Sequence, residues 1–203
     1  MQYSSLNTQL SFFQKIRNFD YILLICIFLL GMVSIISMYS TDGGELLFHS
    51  KSHISKFVIF FLIMIFLSFL NIKFWHYFAY IFYIAILILL IWASLYGVKA
   101  SGSQRWINLY FINLQPSELM KISIIACLAK YYHRVQLDKV NTFQSISVAL
   151  IILILPVTLV VSQPDLGTSI LIASSGLVVI WLAGIRFKYF LYFFFILIIS
   201  TPF

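Results

Sequence analysis

Long apolar runs alternate with short polar intervals along this chain, and the pattern predicts a bundle of membrane-spanning helices. Crossing a bilayer takes about 20 apolar residues. Six runs approach that length, at 21–39, 54–70, 74–96, 116–132, 143–161 and 163–183. A seventh run, 189–200, is too short to cross. The predicted fold is all-α, a polytopic helical membrane protein of six complete spans and an incomplete seventh, with residues 1–20 as an N-terminal tail and 21–203 as one transmembrane domain.

The composition agrees with lipid as the solvent. Hydrophobic residues make up 62% of the chain and charged residues 9%, with a mean hydropathy of +1.02, whereas soluble domains are about 25% charged. The net charge of +7 is scattered through short loops and forms no basic run or face, which argues against a nucleic-acid partner. Cys26 and Cys127 both fall inside predicted spans and are interpreted as buried hydrophobic residues.

The distribution of lysine and arginine predicts the topology, because cytoplasmic loops carry an excess of these residues. With the N-terminus in the cytoplasm, eight basic residues are inside (Lys15, Arg17, Lys73, Lys130, Arg134, Lys139, Arg186 and Lys188) and four are outside (Lys51, Lys56, Lys99 and Arg105). We therefore expect a multi-pass protein of the bacterial cytoplasmic membrane whose N-terminus is cytoplasmic. The starts of the fourth and sixth spans, each marked by a Gln-Pro pair, then share the outer side.

The longest polar interval, 97–115, leads into a helix that carries charge into the membrane. Pro116 suits the first turn of that helix, where its missing N–H has no partner to lose. Glu118 and Lys121 are three residues apart and so share one face of the helix. Ionisable residues inside a membrane are functional candidates. Two interpretations remain open: a helix-end ion pair that fixes packing, or a water-accessible cavity that binds an anionic headgroup.

Two further polar positions carry similar alternatives. The guanidinium of Arg105 is suited to phosphate, but Arg105 and Trp106 together also suit an interfacial anchor at the lipid headgroups. Asp165 follows a proline at a helix start, where capping alone would explain it. His49, His53, His76 and His133 show no metal-ligand spacing, and the chain has no phosphate-binding loop, dinucleotide turn or hydrolase motif.

Three motifs in order carry a resemblance to a known family. They read Ser-Gly-Ser-Gln-Arg-Trp-Ile at 101–107, Leu-Gln-Pro-Ser-Glu-Leu-Met-Lys-Ile at 114–122 and Gln-Pro-Asp-Leu-Gly-Thr-Ser at 163–169. This arrangement resembles the RodA/FtsW (SEDS) family of bacterial cell-shape and cell-division membrane proteins. The residues of the third motif and the short N-terminal tail are more similar to the elongation branch of the family, typified by RodA, than to the division branch. That family has about ten spans, so the resemblance implies an N-terminal portion, truncated at the C-terminus.

The resemblance implies a peptidoglycan glycosyltransferase of cell wall biogenesis. Such an enzyme polymerises lipid II on the outer face of the membrane, beside a class B penicillin-binding transpeptidase and other elongation-complex membrane proteins. The family's substrate-cavity positions correspond to Arg105, Glu118, Lys121 and Asp165. Supporting motif positions correspond to Trp106, Gln115, Pro116, Ser117, Gln163, Pro164 and Gly167.

The resemblance also implies that the catalytic residue is an aspartate beyond the end of this chain. No cofactor is certain, and a divalent cation would be compatible with a diphosphate leaving group. Asn108, Tyr110 and Asn113 stand where the family often has an acidic residue, a glycine and a basic residue, so we expect a less charged loop. Two alternatives stay open: a flippase for lipid-linked precursors, and a non-catalytic chain that only docks elongation-complex partners.

Overall fold

The computed structural model describes residues 12–100, 103–109, 113–186 and 189. Most of the predicted seventh span lies outside these residues, as do residues 1–11 of the predicted tail. The described part contains seven helices and three short strands: α1 (Phe12–Arg17), α2 (Tyr21–Thr41), α3 (Phe48–Ser68), α4 (Ile72–Tyr96), β1 (Val98–Ala100), β2 (Ser103–Asn108), β3 (Asn113–Leu114), α5 (Pro116–Arg134), α6 (Phe143–Ser162) and α7 (Leu166–Leu182). These elements form two compact units, Met1–Asn71 and Ile72–Phe203.

Helices α2 and α3 form the body of the first unit. Asp20 caps α2 by accepting a hydrogen bond from the Leu23 N–H at 3.0 Å. Within the apolar pair, Ser34 Oγ and His53 Nε2 lie 2.8 Å apart and form a hydrogen bond. At the turn, Asp42 ends α2 and its Oδ2 accepts hydrogen bonds from both the backbone N–H and the hydroxyl of Ser50 in α3.

Four helices and a small sheet form the second unit. Helix α5 packs against α4, α6 and α7, and α6 also packs against α4 and α7. Its core is apolar and includes side chains that are less than 2% exposed, namely Leu90, Met120, Ile124, Leu128 and Ile172. The buried Gly176 lets α7 approach α6 closely, because a Cβ there would lie 2.4 Å from Leu153 Cδ1.

The polar interval after α4 contains an antiparallel three-stranded sheet in the order β1–β2–β3. Strand β2 pairs with β1 through Val98 opposite Trp106, and with β3 through Ile107 opposite Leu114. The chain leaves α4 at Gly97, where a Cβ would lie 2.3 Å from the Ala93 carbonyl oxygen. The description of 97–115 as a polar loop is therefore incomplete, because strands this short leave little alternating pattern to detect.

Helix α6 runs without a break through the buried Pro156. Proline has no N–H, so it cannot supply the usual helical hydrogen bond to the carbonyl four residues earlier, which here belongs to Ile152. The Tyr83 hydroxyl of α4 donates to that carbonyl oxygen at 2.8 Å. A side chain from a neighbouring helix therefore replaces the missing backbone donor.

The predicted spans correspond to α2 to α7, with three differences. Helix α3 begins at Phe48 and not near 54, because its first turns are polar yet helical. Among the described residues, only α2, α3, α4 and α6 are both long and apolar enough to cross a membrane. Helix α7 is apolar but has 17 residues, and α5 carries four charged residues, Glu118, Lys121, Lys130 and Arg134. The architecture is that of a multi-pass helical membrane protein.

Candidate functional site

The first Gln-Pro pair starts α5 as the sequence predicts. Gln115 is extended and stands at the N-cap, Pro116 occupies the first turn, and Glu118 is the acidic residue of that turn. A carboxylate in this position is favoured by the partial positive charge of the helix N-terminus. The buried face of α5 begins directly with Pro116 and Ser117.

The second Gln-Pro pair behaves differently. Pro164 lies before α7 and not in its first turn, so the predicted start of the sixth span at 163 is three residues too early. Asp165 is the N-cap, and its Oδ1 accepts a hydrogen bond from the Thr168 N–H at 3.2 Å. An aspartate cap and a proline first turn are two different solutions for the unpaired N–H groups at a helix start.

The buried carboxylate of Asp165 joins three elements. Its Oδ2 accepts a hydrogen bond from Gln115 Nε2 at 3.0 Å and lies 3.4 Å from Arg105 Nη1 of β2. Arg105 also donates from Nη2 to the Pro164 carbonyl oxygen at 3.1 Å. We call Arg105, Gln115 and Asp165 the polar node. It links the sheet to the starts of α5 and α7.

Some polar atoms close to the polar node in the chain have no partner. In the part of the chain that the structure describes, Arg105 Nε and the hydroxyls of Ser117 and Ser123 are buried without a hydrogen bond. A buried polar group without a partner costs about 1–3 kcal/mol. The packing around these atoms therefore has to offset this cost.

Glu118 and Lys121 form an ion pair one turn into α5. Lys121 Nζ lies 2.8 Å from Glu118 Oε2, and the two side chains are 55% exposed for Glu118 and 27% exposed for Lys121. Exposed helical pairs at this spacing contribute about 0.3–0.5 kcal/mol, so the pair adds little stability. The Lys121 ammonium has three donors, and at this exposure it can also contact a ligand.

The remaining motif residues Gln163, Trp106 and Gly167 lie at the end of α6, in β2 and in α7, respectively. Gln163 is buried and donates to the Leu90 carbonyl oxygen of α4 at 3.1 Å, which ties the start of α7 to α4. Trp106 pairs with β1 in the sheet. Gly167 is exposed, and a Cβ there would meet nothing within 4 Å, so space does not require glycine.

Lys130 is a buried residue whose position the sequence did not reveal. The charge count put it at the cytoplasmic end of the fourth predicted span without indicating its packing, and it is 6% exposed within α5. Its ammonium donates to the Tyr77 carbonyl oxygen at 2.8 Å and lies 4.5 Å from the ring centroid of Tyr80. Its place seven residues beyond Ser123, on the buried face of α5, is the one sequence signal that could have indicated this.

The described residues contain no group of three or more His, Cys, Asp or Glu side chains arranged to hold a metal ion. Two histidines do meet, since the rings of His76 and His133 lie 4.9 Å apart.

Comparison with models of protein families identifies the family of this chain. The model described as "Cell cycle protein", which covers FtsW, RodA and SpoVE, matches residues 17–202. The chain belongs to the FtsW/RodA/SpoVE family. Among curated members, it is 38% identical over 106 residues to the peptidoglycan glycosyltransferase MrdB of Escherichia coli K12, covering 52% of this chain and 28% of that protein.

Two solved structures show the same fold within the FtsW/RodA/SpoVE family. The crystal structure of the rod shape determining protein RodA of Thermus thermophilus matches with a TM-score of 0.75 and 22% identity, covering 91% of this chain and 60% of that one. A structure showing coordination of polymerization and crosslinking by a peptidoglycan synthase complex matches with a TM-score of 0.78 and 22% identity, covering 89% and 52%. At these identities the likeness concerns the fold. The chain spans little more than half of either solved protein.

Proposed function

We propose that this chain is the N-terminal part of a peptidoglycan glycosyltransferase of cell elongation, which polymerises lipid II on the outer face of the cytoplasmic membrane. The single observation that carries the proposal is the polar node, in which Asp165 holds Arg105 against the starts of α5 and α7. Membership of a family that includes the glycosyltransferase MrdB supports the reaction type. The similarity to RodA and the wording of the third motif favour elongation over division.

The chemistry of the substrate fits the described cations. A lipid-linked sugar diphosphate carries negative charge that grows on the leaving group during transfer, and fixed donors stabilise that charge. We assign Arg105 and Lys121 to the diphosphate. Glu118 holds Lys121, and Asp165 holds Arg105, so each cation has one carboxylate that limits its motion. The catalytic carboxylate is expected outside these residues.

The proposal includes an orientation and a partner. The charge count of the loops favours a cytoplasmic N-terminus, which would put the starts of α5 and α7 on the outer side. A class B penicillin-binding transpeptidase would then receive the glycan strands. The match to a chain from a synthase complex that coordinates polymerization and crosslinking supports such a pairing.

The test is polymerisation of purified lipid II by the longest natural form of the protein. Lys121→Ala and Glu118→Ala should each lower glycan synthesis by about a hundredfold, the usual cost of removing one donor to a developing anion or the group that holds it. Lys51→Ala removes an exposed lysine from the first unit and should leave the rate unchanged. Normal synthesis by the Lys121 variant would refute its assignment to the diphosphate.

The same variants separate the two alternatives. If the protein is a flippase, the wild type should move lipid II between the leaflets of vesicles without polymerising it, and Lys121→Ala should lose that movement. A docking chain would keep wild-type cell shape after Lys121→Ala but lose it when apolar surface positions are changed.

A further inference from the structure

A polar cavity lies at the C-terminal end of α5, remote from the polar node. It has a volume of about 480 Å³ and is formed by the end of α5, the turn that follows and the start of α6. Its walls include Tyr131, Arg134, Lys139, Thr142, Ser145 and Val148. Since a helix rises about 1.5 Å per residue, the 18 residue steps from Pro116 to Arg134 put it roughly 27 Å along α5 from the polar node.

The cavity is cationic. Arg134 and Lys139 line it, and the ion pairs among the described residues are Arg105–Asp165 and Glu118–Lys121, so neither lining cation is neutralised by a carboxylate there. Asp138, beside Lys139 in the chain, is exposed and does not line the cavity. The Arg134 guanidinium lies 5.8 Å from the ring centroid of Tyr80, which steadies the side chain.

The start of α6 adds a helix N-terminus to the same cavity. Thr142 is the N-cap, and its Oγ1 accepts a hydrogen bond from the Ser145 N–H at 3.4 Å. The first N–H groups of a helix point outward and carry partial positive charge, which favours a bound anion.

A buried hydroxyl in the cavity wall is unsatisfied. Ser145 is 5% exposed, lines the cavity, and its Oγ has no hydrogen-bond partner in the described part of the chain. The nearby Tyr132 hydroxyl approaches Ser145, but neither oxygen completes a hydrogen bond of normal geometry. Buried polar groups are usually hydrogen-bonded, so a hydroxyl without a well-formed bond in this wall is compatible with a polar ligand atom beside it.

The turn that carries Lys139 is fixed to the rest of the bundle. Asn141 Nδ2 donates to the Gly184 carbonyl oxygen at 3.3 Å, and Asn141 Oδ1 accepts from the Arg186 N–H at 3.0 Å. The Asn141 side chain thus hydrogen-bonds the segment that follows α7 at two points. The turn that forms one wall of the cavity is therefore held in place by the rest of the bundle.

We propose that this cavity binds a phosphate group, the chemistry shared by an anionic lipid headgroup and a free phosphate ester. Arg134 offers a planar fork and Lys139 a point charge, which together suit phosphate, while the Ser145 hydroxyl and the start of α6 supply further donors. Val135 and Val148 give the cavity an apolar wall as well. A lipid phosphodiester would occupy both the polar and the apolar parts.

The test compares binding by the membrane protein in nanodiscs of phosphatidylcholine with and without phosphatidylglycerol, and separately with radiolabelled inorganic phosphate. Lipids retained after purification are counted by native mass spectrometry. Removing both cations in Arg134→Gln/Lys139→Gln should weaken binding by about a hundredfold, at roughly tenfold for each charge-assisted hydrogen bond to the phosphate. Arg186→Gln is the matched control, because it removes a basic side chain that does not line the cavity.

A second pair of variants avoids any change of charge. Ser145→Ala should weaken binding several-fold, whereas Ser147→Ala, two residues along α6 and outside the cavity lining, should not. If phosphatidylglycerol is retained and its retention depends on Ser145 and the two cations, the cavity is a lipid site. If only the binding of inorganic phosphate depends on these residues, the cavity is a site for free phosphate. Undiminished binding of both probes by the Ser145 variant, or an equally large decrease in the Arg186 control, would overturn the proposal.

Discussion

The hydrogen bond between Tyr83 and Ile152 yields a prediction about how α6 tolerates a buried proline. Pro156 leaves the Ile152 carbonyl oxygen without its helical donor, and the Tyr83 hydroxyl takes that place at 2.8 Å. Tyr83→Phe removes only the hydroxyl, so the part-buried carbonyl would be left without a partner. We expect the substitution to destabilise the protein.

The size of the effect can be bounded from both sides. Interhelical hydrogen bonds in membrane proteins average about 0.6 kcal/mol and reach about 1.7 kcal/mol, while an unsatisfied buried group costs about 1–3 kcal/mol. We therefore expect Tyr83→Phe to lower the free energy of unfolding by about 1–2 kcal/mol. With Pro156→Ala in place, the new Ala N–H can serve Ile152, and the cost of Tyr83→Phe should fall to about 0.5 kcal/mol or less.

The assay is unfolding in detergent micelles for the wild type, both single variants and the double variant. Tyr131→Phe is a matched control: its hydroxyl donates to the Ser145 carbonyl oxygen at 3.2 Å, where the Ala149 N–H is available in the same helix. Its cost should be smaller and independent of Pro156. The reasoning is refuted if Tyr83→Phe costs the same with proline or alanine at 156.

Two further predictions concern other parts of the fold. Gly176→Ala should destabilise by about 1–3 kcal/mol through overpacking against Leu153, and Leu153→Ala in the same chain should relieve part of that cost; an unchanged melting temperature for Gly176→Ala would contradict the close approach. Hydrogen bonds from the Ser50 side chain and backbone hold the pKa of Asp42 below its ordinary value. Because the folded pKa is the lower one, this stabilisation is present above the ordinary carboxyl pKa of about 3.9 and is lost as the pH falls through the folded value. Ser50→Ala should raise the pKa of Asp42 in an NMR titration, and an unchanged value would show that the hydroxyl has no such effect.

Local sequence rules predicted the helices and the Glu118–Lys121 ion pair, but not the polar node. Pro116 fixed the start of α5, and the spacing of Glu118 and Lys121 predicted a shared face on which the structure places their ion pair. Apolar length predicted α4 and α6 almost to their ends. These features depend on neighbours in the chain, which the sequence displays directly.

Features that depend on distant residues were not predictable in the same way. Arg105 and Asp165 are 60 positions apart, and no spacing rule identifies which cation a capping aspartate will bind. The donor for Ile152 comes from another helix, so the sequence around Pro156 predicts a kink and gives no sign of that donor. The buried packing of Lys130 was missed for the same reason, since its partners Tyr77 and Tyr80 belong to α4.

The surroundings of Lys130 have a consequence for the biogenesis of the protein. Helix α5 carries four charges in 19 residues and is not apolar enough to enter a bilayer by composition alone. Its buried ammonium is accommodated by a carbonyl oxygen and an aromatic ring of α4, the preceding long helix in the chain. During synthesis α4 leaves the ribosome first, so it is in place when α5 emerges. We therefore expect α4 to assist the insertion of α5, and shortening α4 at its start, which removes Tyr77 and Tyr80, should lower the fraction of α5 that inserts.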